Sequence, residues 1–168
     1  MPFLHYIKKI LHKGIKISTS TLLLLCVICN SEESSVPNRR VYLEIDLRTD
    51  IELTIEGNAK TFTKGTTYDS ELGYAGILVV RGLNDYDLYG NAFERFYAYD
   101  LCCAYEVDPN VRVGIKEGEV NVYAECPSCG TKYNIIYGNG NVEKGPGTRP
   151  LRRYETFHTD SYIVRVIN

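Results

Sequence analysis

A single all-β domain over residues 41–168 is what this sequence predicts, and three observations predict it. From residue 41 onward, apolar side chains recur with period two or in short unbroken runs, as in "VYLEIDL" and "GILVVRG". Clusters of turn-forming residues, "NDYDLYGN", "DPN", "EGE", "GNGN" and "GPG", separate most of those runs. Fourteen tyrosines with no tryptophan suit pleated, half-buried surfaces, on which aromatic and β-branched side chains pack well. No stretch after residue 40 holds a 3.6-residue period, and no internal repeat is present.

In chain order, residues 1–29 stand apart. Lys8, Lys9, Lys13 and Lys16 precede an apolar run from Ile17 to Cys29, too short and too interrupted by Ser and Thr to span a bilayer. It reads as a secretory signal. Cleavage before Cys29 would make a lipoprotein, and "CNSEE" resembles the acidic tail behind the lipidated cysteine of some Gram-negative lipoproteins. "VIC" departs from the small residues that the signal peptidase prefers, and Cys26 has the same departure. The expectation is lipidation at Cys29, an anchor in the lipid bilayer, and a place in the bacterial cell envelope, periplasmic or on the outer surface. "NSEESSVPNRR" (30–40) is polar and aperiodic, hence a tether.

The domain proper opens with "VYLEIDL" (41–47), which alternates, and "IELTI" (51–55), which repeats the pattern after "RTD". "GILVVRG" (76–82) is apolar throughout and suits a strand covered on both faces. "RFYAYD" (95–100), "EVNVYAE" (119–125), "KYNII" (132–136), "LRRYETF" (151–157) and "YIVRVI" (162–167) complete the predicted strands. After residue 30 the chain carries 15 Lys and Arg against 21 Asp and Glu, a net charge of −6. That balance argues against nucleic acid or an anionic membrane surface as a partner.

Chemistry-bearing residues concentrate in the last 75 positions. "FYAYDLCCAY" (96–105) runs an aromatic strand into two cysteines. "AECPSCGTKYN" (124–134) gives a C-x-x-C-G turn, and "GNGNVEKGPGTRPLRRYE" (138–155) adds Gly145-Pro146, Pro150-Leu151 and Tyr154. A closing strand, "YIVRV", follows. In this order the four features resemble the Rieske 2Fe–2S family, whose members run A-x-x-x-x-C-x-H, C-P-x-H-G-x-x-F-D and G-P-x-x-x-P-L-x-x-Y before a last hairpin. The resemblance covers residues 76–168 well and 41–75 only by strand character. It implies stacked antiparallel sheets with two cluster-type loops.

Carried over residue by residue, the resemblance implies that Cys103, Tyr105, Cys126 and Cys129 stand at the four cluster-ligand positions. Both histidine positions are then replaced, by Tyr105 and Cys129. The only histidine after the leader is His158, in the predicted final turn. A Rieske centre needs two imidazoles on one iron, so ordinary Rieske ligation fails by counting. Three occupants stay open. In the first, the pocket holds no cofactor and a disulfide joins Cys103 to Cys126 or Cys129, since close thiols pair in an oxidising compartment. Zinc would use the "CPSCG" knuckle with Cys102, Cys103 or Tyr105. A variant 2Fe–2S cluster would use Cys103, Cys126, Cys129 and either Cys102 or Tyr105. Adjacent cysteines in an extended segment point to opposite sides, which opposes joint use of Cys102 and Cys103.

The corresponding functions are a non-enzymatic binding or structural module of the envelope with an unidentified protein partner, an electron carrier, or a zinc-bearing domain. The glycine turns "GYAG" (73–76) and "GNGN" (138–141) open no helix and are not phosphate cradles. Arg149, Arg152 and Arg153 form a basic cluster, read as a solvated face. One histidine supports no nucleophilic triad.

Overall fold

The computed structural model describes residues 33–63, 71–115 and 123–168. The predicted leader and Cys29 lie outside them, as do residues 119–122 of the predicted strand at 119–125.

Among the described residues the chain is all-β, with stacked antiparallel sheets and two cysteine-bearing loops, the architecture that the Rieske resemblance implied. The strands are β1 (Val41–Asp46), β2 (Ala59–Phe62), β3 (Glu71–Leu72), β4 (Ile77–Arg81), β5 (Asp85–Tyr86), β6 (Ala92–Phe93), β7 (Phe96–Asp100), β8 (Tyr123–Glu125), β9 (Lys132–Asn134), β10 (Val142–Lys144), β11 (Arg153–His158) and β12 (Ile163–Ile167). Seven of them form one sheet in the order β2-β4-β7-β11-β12-β1-β3, three form a second in the order β10-β9-β8, and β5 pairs with β6.

Two cores share one wall. All five residues of β4 are buried, because its side chains alternate between compartments. Ile77 and Val79 join Leu43, Ile45, Phe62, Ala98, Val164 and Val166 inside the large sheet. Leu78 and Val80 face the other way, onto Tyr99, Leu101, Tyr133, Ile135 and Leu151, between the large sheet and the three-stranded one. The next strand, β7, does the same: Phe96 and Ala98 face one core, and Tyr99 faces the other. Four sulfur-bearing or loop residues, Cys102, Cys103, Ala104 and Cys126, belong to the second compartment.

The structure departs from expectation in several places. "IELTI" is not a strand: Ile51–Thr54 is a turn of 3-10 helix. Only Leu53 is buried there, while Ile51 and Ile55 are mostly exposed. Both edges of β1 are already taken, by β12 and β3, so the segment has no ladder to join. It closes instead on itself, with Leu53 N–H donating to Asp50 O (3.0 Å) and Asn58 Nδ2 to Glu52 O (3.1 Å). Short strands at 59–62, 71–72, 85–86, 92–93 and 142–144 have no marked pattern in the sequence and exist through their partners. The described part of the predicted tether is docked at residues 33–36. Val36 is fully buried, and Arg152 Nε donates to its carbonyl at 2.6 Å. Arg149 Nη1 reaches Glu33 O at 3.0 Å, so two of the three clustered arginines hold this segment and are not a free basic face.

Candidate metal centre

The first loop starts where β7 ends. Asp100 is fully buried, and its carboxylate accepts four hydrogen bonds: from the N–H groups of Cys102 (2.8 Å), Ala75 (3.1 Å) and Tyr74 (2.7 Å) and from Tyr154 Oη (2.6 Å). A buried carboxylate is tolerated when it is saturated in this way. It ties the entry to the cysteines to β11 and to the 73–76 turn. Gly73 is required at that turn, because its φ is +69° and a Cβ would lie 2.4 Å from Tyr154 Oη. Beyond Cys103 the chain folds back, with Cys103 N–H donating to Val111 O (3.2 Å) and Val113 N–H to Leu101 O (2.8 Å).

The second loop is the β8–β9 hairpin. Cys126 N–H donates to Thr131 O and Gly130 N–H to Cys126 O, both at 2.9 Å. Gly130 has φ +71°, the left-handed residue that a tight C-x-x-C-G turn calls for. Two reciprocal backbone bonds between Gly114 and Glu125 (3.0 and 2.8 Å) fasten the returning arm of the first loop to the second. A third segment closes over them. Gly147 N–H donates to Thr131 Oγ1 at 3.1 Å, and a Cβ on Gly145 (φ +108°) would lie 2.6 Å from Thr131 Cα.

These contacts bring three sulfurs together. The Sγ atoms of Cys103, Cys126 and Cys129 all lie within 4.8 Å of one another, with Cys103 and Cys129 at 3.7 Å. Cys103 and Cys126 are buried and Cys129 is partly exposed. Each of the closer two has a hydroxyl neighbour: Tyr133 Oη is 3.3 Å from Cys103 Sγ, and Thr131 Oγ1 is 3.1 Å from Cys129 Sγ. Since Thr131 Oγ1 accepts from Gly147, its proton is free to point at the sulfur. Burial pushes the Cys126 thiol up to about 12. Burial acts in the same sense on Cys129, but hydrogen bonds from the Thr131 hydroxyl and N–H and from the other two thiols outweigh it and hold that thiol below its ordinary value. Between the two knuckle cysteines, negative charge therefore settles first on Cys129.

The remaining predicted site residues are placed elsewhere. Cys102 does not join the trio: its Sγ sits 3.5 Å from the carbonyls of Cys103 and Asp108. Burial, with help from Asp100, pushes this thiol up to about 12. Tyr105 leaves 53% of its surface in solvent. His158 ends β11, edge-on to Phe96 at 5.4 Å, with Nε2 4.0 Å from Glu94 Oε2. It borders a cleft lined with Phe93, Arg95, Arg153 and Phe157, none of which belongs to either loop. The residues present do not fit a histidine-ligated 2Fe–2S centre. Sequence reasoning missed Thr131, Tyr133 and Asp100; the first two stand two and four residues beyond Cys129, close enough for the hairpin to return them to the sulfurs.

No protein-family model matches the chain, and no curated protein matches it. A solved chain from a "complex of reduced oxygenase and oxidized ferredoxin in carbazole 1,9a-dioxygenase" is similar over 74% of this chain and 99% of that chain, with a TM-score of 0.45 and 21% identity.

Proposed function

We propose that this chain is an exported, non-enzymatic β-domain whose Cys103, Cys126 and Cys129 thiolates hold one thiophilic divalent ion, zinc before others. The sulfur geometry carries the reading. Zinc–thiolate bonds of about 2.3 Å at tetrahedral angles put sulfurs about 3.8 Å apart, and Cys103 and Cys129 stand at 3.7 Å. A disulfide needs about 2.05 Å. Thiols at ordinary contact, in a pocket that already favours one thiolate, suit an ion between them. An ion there ties together loops that are 23 residues apart at Cys103 and Cys126, a structural role. Zinc affinity also selects soft ligands of this kind.

Export and lipidation at Cys29 are part of the same proposal and rest on the basic leader and apolar run alone. They place the domain where thiols are at risk of oxidation, and metal binding protects them. The second reading is an emptied pocket closed by a Cys103–Cys129 bond, favoured by the same short separation.

Metal and thiol analysis of protein purified without oxygen decides between them. The expected result is a single zinc ion per chain, no acid-labile sulfide, and cysteines that alkylate fully only after chelation. A native disulfide between Cys103 and either knuckle cysteine overturns the zinc reading. Iron with acid-labile sulfide overturns it in favour of an electron carrier.

A further inference from the structure

A three-thiolate ion needs a fourth ligand, and the backbone of the first loop supplies a candidate that the cysteine pattern hides. Both loops use the same device. In the second, the carbonyl of Cys126 accepts from the N–H four residues on, at Gly130 (2.9 Å, φ +71°). In the first, the carbonyl of Cys103 accepts from the N–H four residues on, at Val107 (2.9 Å, φ +55°). A chain closed by such a bond puts side chains three apart on one side of the turn. Cys126 and Cys129 are the three-apart pair of the second loop. The matching pair of the first is Cys103 and Glu106.

Two further observations single out Glu106. Val107 is the only non-glycine with positive φ among the described residues. For a β-branched residue that conformation is a true outlier, and it persists only where the surroundings impose it. The turn is thus held in a metal-knuckle shape against its own sequence preference. The Glu106 carboxylate also already crosses between loops: Oε1 accepts from Ser128 Oγ at 2.9 Å, and Ser128 lies between Cys126 and Cys129 in the chain.

We infer that Glu106 is the fourth ligand, giving a closed site of three thiolates and one carboxylate. The inference rests on the zinc reading above. The Glu106 carboxylate rests on the Ser128 hydroxyl outside the sulfur trio, so ligation requires it to leave that hydroxyl and turn inward. Zinc accepts carboxylate oxygen beside sulfur, and closed four-coordinate sites are its structural form. Cys102 stays outside the sulfur trio, with its Sγ on the carbonyls of Cys103 and Asp108.

The test uses the full chain under reducing, anaerobic conditions, with zinc affinity from competition against a chelator and coordination from X-ray absorption. Glu106→Ala should weaken zinc on the order of tenfold or more, with the far-ultraviolet circular dichroism unchanged. Glu106→Cys should convert the site to four sulfurs and bind at least as tightly as the native chain. If Glu106→Cys keeps three sulfurs and a light-atom ligand, position 106 does not reach the ion and the inference fails. Wild-type affinity in Glu106→Ala likewise overturns it. A native chain that takes up no zinc at all overturns the underlying zinc reading instead.

Discussion

At Thr131 one hydroxyl group serves two loops, accepting from Gly147 at 3.1 Å while facing Cys129 Sγ at 3.1 Å. Removing it separates the packing role of the side chain from its electrostatic one. Thr131→Val keeps the volume, deletes the hydroxyl's contact with Cys129 together with the acceptor of Gly147 N–H, and leaves the Thr131 backbone N–H contact with Cys129 in place. The Cys129 thiol, held below its ordinary value in the native chain, should then titrate at higher pH. With metal chelated, the midpoint of a pH profile of Cys129 alkylation should move upward and the neutral-pH rate should fall. Thr131→Ser should restore both. The linkage has a definite sign. A thiol whose folded pKa is depressed adds stability above its unfolded pKa and loses it as pH falls through the folded value. Metal-free wild type should therefore gain on Thr131→Val as the pH is raised through that window. An unchanged profile would show that the hydroxyl donates elsewhere.

Among the elements, the strained turn at 103–107 is the most informative. Val107 pays about 1–2 kcal/mol for its left-handed backbone. Val107→Gly removes that strain but loosens the unfolded chain by about 0.4–1 kcal/mol. Unfolding free energy from urea denaturation should therefore rise by up to about 1.6 kcal/mol, and a fall would show that the valine side chain is held by packing. This turn was not legible in the sequence, because "CAYEV" contains no glycine to announce it. The neighbouring knuckle was legible, since Gly130 stands where "CPSCG" requires it. The same division runs through the fold. β1, β4, β7 and β12 are readable because each buries a face or both, and alternation records that burial. Ala59–Phe62 is not readable: one buried phenylalanine in a polar stretch carries no period, and β4 supplies its register. Ile51–Thr54 misled because alternation was present and a free sheet edge was not. Val36 escaped notice as a single apolar residue in a polar string, although one buried side chain and an arginine on its carbonyl are enough to dock the segment.

For the molecule as a whole, the proposal joins a domain to an anchor, and mass alone tests the joint. Protein extracted from membranes should begin at Cys29 and carry a diacylglyceryl and acyl modification by intact-mass analysis. A retained lysine-rich leader, or an unmodified start beyond Asn30, refutes the anchor and leaves the metal site untouched.

The pairing of β1 with β12 bears on how such a chain is made. β12 lies between β1 and β11, with Tyr42 opposite Ile167 and Asp46 opposite Ile163, and Val41 N–H donates to Asn168 Oδ1 at 3.1 Å. The inner core of the large sheet draws on both ends, through Leu43 and Ile45 at one and Val164 and Val166 at the other. Contacts so distant in sequence are slow to form and cannot form at all until the last strand has been synthesised. The large sheet accordingly cannot close during translation, and its inner core waits for β12 to leave the ribosome.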